Sequence, residues 1–326
     1  MHTNTRRAAR RAAGLLAVAA LALGAAACGS DDDATGGSAS SDGKPIKLTF
    51  AYFSGEKTSF GQLWSWWMDE VEKRTNGRFK FERFWDASLL KASEMVEGLN
   101  DGRVDIAQVS PPYYPGTFPL STIAELPFIT PNLPAVSATF AELHGKNEAL
   151  RKEWEGKGLV PLAWNAAAGS AVGTNKAISR VEDLKGLKIR AVDRGSKILQ
   201  SARANLINVE VSEVYSAMSR GLVQGYYGIP FSFFAPLKLN EVTKHLTDLG
   251  LGVPAIGALA MSRQGWSRLP EDVQKVMTEV SAEVPTKQGE FEALVEKGSC
   301  EAAKEAGVKI NVLPPAEVDR LRSLGE

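Results

Sequence analysis

Ile46-Lys47-Leu48-Thr49-Phe50-Ala51-Tyr52-Phe53 alternates apolar and polar residues and stops at Ser54-Gly55. That period of two, closed by turn residues, is the signature of a half-buried strand. Directly after it, Phe60, Leu63, Trp64, Trp67, Met68 and Val71 recur at helical spacing as far as Asn76-Gly77. A second strand covers 79–85, a helix 89–99 and a third strand 104–109, interrupted at Ser110-Pro111-Pro112. This βαβαβ order predicts an α/β fold with a parallel sheet and helices on both faces. In such sheets the ligand crevice lies beyond the carboxyl ends of the strands. Ser54, Ser110 and Tyr113 occupy those ends. Trp64 and Trp67 keep the helix period and read as core.

A second unit follows. A helical pattern spans 134–157, a strand 159–164, and a turn at Gly186 leads into a strand at 187–192. A helix at 196–204, a short strand at 209–211 and a helix at 213–220 precede a strand-like run at 223–229, ended by Pro230. Further elements are a strand at 255–261, a helical stretch from Pro270 to 306 broken at Pro285, a strand at 308–312 and a helix at 316–324.

The 326 residues suffice for two domains. Basic and acidic residues number 38 each, so no basic excess points to nucleic acid. Two cysteines make no disulfide scaffold and three histidines no histidine-rich metal site. Residues 1–27 read as an export signal, with Arg6, Arg7, Arg10 and Arg11 ahead of an apolar run from Leu15 to Leu23. That run is shorter than the ~20 residues a bilayer requires. Cys28 follows Gly24-Ala25-Ala26-Ala27, as in a bacterial lipobox, which predicts that it is acylated and becomes the mature N-terminus. Residues 28–44 are small and polar, a flexible tether that cannot bury enough surface to order itself. Cys300 is then a lone cysteine and reads as a small apolar helix residue.

Catalytic motifs are missing: there is no Walker loop, H-E-x-x-H, C-x-x-C or G-x-S-x-G. His144 and His245 sit in polar surroundings. An exported α/β chain without catalytic machinery points to capture of a small solute rather than to an enzyme, with no cofactor and no metal. Arg190 is the most informative residue. Strand alternation sets Lys188, Arg190 and Val192 on one face, and an arginine inside a helix-covered sheet needs a carboxylate partner. Its guanidinium fork matches a carboxylate bidentately. A structural pair with an acid such as Asp193, or a solvated strand edge, is the alternative.

Several segments in series carry a family resemblance: Gly98-Leu99-Asn100-Asp101-Gly102-Arg103-Val104-Asp105-Ile106-Ala107, Glu125-Leu126-Pro127-Phe128, Thr174-Asn175-Lys176, Asp183-Leu184-Lys185-Gly186-Leu187-Lys188-Ile189-Arg190, Ser212-Glu213-Val214-Tyr215-Ser216-Ala217-Met218 and Gly221-Leu222-Val223-Gln224-Gly225. In this order, from about Lys47 to Leu321, the chain resembles the solute-binding subunits of tripartite ATP-independent periplasmic (TRAP) transporters, of the dicarboxylate-receptor type. The resemblance implies a two-lobe, periplasmic-binding-protein-like fold with a hinge and strand-exchanged lobes. Carried over, one lobe is 45–167 plus 256–295 and the other 168–255 plus 296–326. It implies that Arg190 salt-bridges the ligand carboxylate, and that the partner receiving the ligand is a membrane permease.

Three departures from the family pattern matter. Ala171 stands where many members carry a second arginine. Tyr226-Tyr227-Gly228-Ile229-Pro230 replaces the usual Gln-Glu-Asn-Pro. The sequence ends at Glu326, before the long C-terminal helix that the family usually completes. One cation with several aromatics suits a monocarboxylate with an apolar or aromatic body. Tyr113, Trp164, Tyr226, Tyr227 and Phe231, at or beyond strand ends, are the candidate lining with Arg190 and Ser54; core packing is the alternative for each aromatic. The competing functions are a C4-dicarboxylate receptor, a binding protein of an ABC importer, and an exported enzyme.

Overall fold

The computed structural model describes residues 45–130, 132–167 and 171–325; the predicted leader, Cys28 and the 28–44 tether lie outside them. Eleven strands are found among the described residues: β1 (Ile46–Ala51), β2 (Phe79–Phe84), β3 (Ile106–Val109), β4 (Leu159–Ala167), β5 (Ala171–Thr174), β6 (Lys188–Arg190), β7 (Asn205–Ile207), β8 (Gly225–Tyr226), β9 (His245–Asp248), β10 (Ala255–Ser262) and β11 (Lys309–Val312). They form two sheets, ordered β2-β1-β3-β10-β4 and β11-β9-β5-β8-β6-β7. The chain passes from the first sheet to the second between β4 and β5, returns between β9 and β10, and crosses again before β11.

The opening βαβαβ unit is parallel, with Ile46 opposite Phe79 and Phe50 opposite Ile106. The sheet as a whole is mixed, because β10 runs antiparallel to both β3 and β4. The first helix, Ser59–Arg74, begins where Thr58 Oγ1 accepts a hydrogen bond from Gly61 N, at 3.0 Å. Its apolar stripe is buried, Trp64 and Trp67 completely, and Trp67 Nε1 donates to Ser281 Oγ at 3.0 Å. Each large side chain buried this way contributes roughly 1.5–3 kcal/mol.

Several elements differ from expectation. The 134–157 run is two helices, Leu133–Lys146 and Glu148–Glu155, because Asn147 caps the second by accepting from Leu150 N. The strand expected at 209–211 lies earlier, at β7, whose register with β6 starts at Asn205. The 223–229 strand shrinks to Gly225–Tyr226, since Gly228 takes a positive φ of 75° ahead of Pro230. Strand β9, His-Leu-Thr-Asp, has too little alternation to be seen in the sequence.

Pro285 sits in the first turn of a long helix, Val284–Glu305, separated at Glu283 from the helix Glu271–Ala282. The long helix touches both sheets' surroundings through buried polar side chains. Gln288 Oε1 accepts from Ser137 Oγ at 2.8 Å and from Ala166 N at 3.3 Å, while its Nε2 donates to Ala166 O. One turn on, Glu292 Oε1 accepts from Ser232 Oγ at 2.9 Å, and Ser232 shares a 2.8 Å hydrogen bond with Ser59. No helix among the described residues is long and apolar enough to cross a membrane.

Candidate ligand-binding site

A cavity of about 50 Å³ lies where the carboxyl ends of β1, β3 and β6 meet. From the first sheet come Tyr52 and Phe53 after β1, Gln108 on β3, Ser110 and Tyr113 just beyond it, and Asn165 on β4. From the second come Arg190, Val192 and Asp193 at the end of β6, and Gly228 and Pro230 after β8. Both sheets therefore address the same small volume, as the crevice rule predicts.

Arg190 is 1% exposed. Its Nε donates to Val209 O at 2.8 Å, its Nη1 to Tyr227 O at 3.3 Å and its Nη2 to Tyr113 Oη at 2.7 Å. Among the described residues no carboxylate stands within ion-pair distance of it, so neither the structural pair nor the solvated edge describes this arginine. Three hydrogen bonds leave two of its five N–H donors free to meet a ligand. Tyr113 packs its ring 5.5 Å from Phe53. Burial pushes its phenol up, and the guanidinium partly offsets this.

Asp193 is buried on the same wall. Its Oδ1 caps the following turn by accepting from Ser196 N at 2.8 Å, whereas Oδ2 has no hydrogen-bond partner among the described residues. Burial raises its carboxyl to about 6, although Arg190 pulls the other way. Across the crevice, Gln108 Nε2 donates to Asn165 Oδ1 at 2.8 Å, both amides being buried. Glu125 reaches over from the end of the 3-10 turn Ser121–Glu125, and its Oε2 accepts from Arg194 N at 3.1 Å. Burial holds the Glu125 carboxyl well above the usual range.

Of the residues singled out in the sequence, the fold brings Arg190 and Tyr113 together on the cavity wall. It sends the others elsewhere. Ser54 is fully buried and does not line the cavity, with no partner for its Oγ among the described residues. Trp164 is locked between Phe140, at 5.3 Å, and Trp154, at 5.1 Å, beneath the helix Leu133–Lys146. Tyr226 lies over Gly173, where an added Cβ would come within 2.1 Å of its ring, and its Oη pairs with Thr243 at 3.2 Å. Tyr227 gives the site only its carbonyl, since its ring joins the second sheet's core with Val172 and Leu249. Phe231 is half-buried against Phe234, beside Tyr226 at a separate small cavity.

The aromatic lining comes instead from Tyr52, Phe53, Phe60 and Phe233. Tyr52 and Phe53 were within reach of the sequence, because they directly follow the first strand. Gln108, Asn165 and the antiparallel β10 were not, because only the cross-strand register brings them to the crevice. Asp193 was seen only as a possible partner for Arg190.

The model of bacterial extracellular solute-binding protein, family 7, matches residues 50–324. The chain belongs to this family. Among curated relatives, this family 7 protein is 29% identical over 244 residues to a solute-binding protein of Albidiferax ferrireducens, spanning 74% of this chain and 68% of that protein. It is 28% identical over 273 residues to the C4-dicarboxylate-binding periplasmic protein of Rhodobacter capsulatus, spanning 81% and 79%. A solved TRAP solute-binding protein of Rhodoferax ferrireducens, in complex with copurified benzoate, superimposes with a TM-score of 0.77 at 25% identity, covering 86% of this chain and 88% of that one. The family 7 protein is thus a TRAP-type receptor for a small organic acid, built on the two-lobe fold, and the ABC-importer alternative finds no support in these matches.

Proposed function

We propose that this TRAP receptor binds a monocarboxylate with an apolar or aromatic body, closes its two lobes over it, and delivers it to the membrane permease. The lobes are 45–167 plus 256–295 and 168–255 plus 296–326, and a hinge motion brings them together. The observation that carries this reading is Arg190, a buried guanidinium with no carboxylate of the described residues within ion-pair distance and two donors to spare. Arg190 is also the one cationic side chain on the cavity wall among the described residues, while Asp193 adds negative charge there. A second ligand carboxylate would find no counter-charge, which disfavours a C4 diacid despite the Rhodobacter relative. Cys28 carries the lipid that holds the receptor at the membrane surface. Mass spectrometry of acid co-purified with the native protein, followed by a thermal-shift panel, tests the ligand class. Monocarboxylates with apolar or aromatic bodies should stabilise the protein more than succinate, malate and fumarate. A response to those diacids alone would overturn the monocarboxylate reading.

A further inference from the structure

Asp193 lines the cavity, and its Oδ2 is buried with no hydrogen-bond partner among the described residues. Its sister oxygen already does the structural task, capping Ser196 N, so a loop cap does not explain the second one. The loop is built closely around it. A Cβ on Gly228, another wall residue, would come within 2.9 Å of Oδ2. Buried polar atoms in native proteins are nearly always paired, so an exception on a residue lining the cavity calls for an explanation, and a ligand donor supplies one. With its carboxyl raised to about 6, the group is mostly ionised at neutral pH and can only accept. Gln108 Oε1, on the opposite wall, is a second buried acceptor without a partner among the described residues.

We propose that Asp193 is a specificity-determining residue whose Oδ2 accepts a hydrogen bond from a donor next to the ligand's carboxylate, so that the substrate class is a hydroxy- or amino-substituted carboxylic acid. This rests on the reading that Arg190 holds the carboxylate. Arg190 and Asp193 are three residues apart, and both face a cavity of about 50 Å³, so one small molecule meets both. A site built around a buried acceptor rejects an analogue lacking the donor far more strongly than an apolar pocket rejects a change of size. The same acceptor repels the carbonyl oxygen of an oxo acid.

Two matched series test this by titration calorimetry: propionate, pyruvate, lactate and alanine; and phenylacetate, benzoylformate, mandelate and phenylglycine, with both enantiomers of the chiral acids. In at least one series the wild type should bind the hydroxy or the amino acid at least tenfold more tightly than the unsubstituted and oxo acids. The two donor arms separate a hydroxyl from an ammonium. Asp193→Asn keeps the Oδ1 cap and replaces the acceptor by an N–H donor. It should lose at least tenfold on the preferred acid and gain on pyruvate or benzoylformate. A wild type that ranks donor-bearing acids no higher than their parents, or an Asp193→Asn variant with unchanged ranking, overturns the proposal; so does binding of none of the eight acids. Arg190→Ala separates the two readings: Arg190-dependent binding without donor preference fails Asp193 alone, and Arg190-independent binding fails the carboxylate anchor itself.

Discussion

Arg190 Nη2 donates a 2.7 Å hydrogen bond to Tyr113 Oη, joining residues 77 positions apart, one at the end of β6 and the other in the turn beyond β3. The contact ties the anchor of one side of the crevice to the loop beyond β3 on the other. It makes the arginine part of a seam between the two sides of the crevice.

Removing the guanidinium should therefore abolish binding. Loss of one partner of a desolvated charge pair costs roughly 2–5 kcal/mol, about 30-fold to several-thousand-fold in affinity. Arg190→Ala should show this by calorimetry while its circular dichroism spectrum stays native. Arg190→Lys should rescue little, because an ammonium cannot make two parallel hydrogen bonds. Affinity within threefold of wild type in the alanine variant would refute the anchor role.

Tyr113→Phe tests the seam alone. It removes the hydroxyl and keeps the ring against Phe53. A hydrogen bond to a charged group contributes about 1.5–3 kcal/mol, so the closed form should lose roughly ten- to a hundredfold in population relative to the open one. Small-angle scattering should then show a larger radius of gyration without ligand, and the difference should vanish at saturating ligand. An unchanged radius would mean that the hydroxyl does not hold the crevice.

Stability should fall as pH rises from 4.5 to about 7. Burial pushes the Glu292 carboxyl up to about 7, from an ordinary 4.5. The folded protein holds this proton more tightly than the unfolded chain. Its contribution is therefore fully present below about 4.5 and is lost as pH rises to about 7. A rise of this size corresponds to a loss on the order of 3 kcal/mol. Asp193 and Glu125, also raised by burial, act with the same sign. Urea unfolding of Glu292→Gln at pH 5 and pH 8 should show a smaller pH dependence than wild type. An equal dependence would remove Glu292 from the account.

Cys28→Ser should move the protein from the membrane fraction to the soluble one. Acyl chains anchor at ~0.8 kcal/mol per buried methylene, and more than one chain is needed for stable attachment. A variant that sediments with membranes as wild type does would refute lipidation at this cysteine.

The sequence made the architecture legible and the site only partly so, for one physical reason. Periodicity is local: Phe60 to Val71 and Ile46 to Ala51 announce their elements because three or four neighbours suffice to define a face. Arg190 stood out because a charge on a covered strand is costly wherever it points, but only the fold shows it buried on three hydrogen bonds with no ion pair among the described residues. The aromatic candidates were not, because which side of a strand end meets the crevice depends on partners far away. Tyr226 turns to Gly173 and Thr243, and Tyr227 turns to the other core. Asn165 and Gln108 meet only through β10, which lies between their strands. Asp193 needed the fold to show that one oxygen is spent on Ser196 and the other is not.

Strand β4 is the edge of its sheet, paired with β10 on one side only. At Ala166 the unpaired side is met by the Gln288 amide, which takes the peptide N–H and gives to the peptide carbonyl. A side-chain amide carries the same donor and acceptor as a backbone one, so Gln288 acts as a one-residue strand. Ala166 is fully buried and Gln288 nearly so, and a backbone N–H or C=O left unpaired in the interior costs about 1–3 kcal/mol. Gln288 thus stands in for the neighbouring strand that a helix-covered edge cannot have, and Gln288→Leu should lower the unfolding free energy in urea by roughly 2–6 kcal/mol.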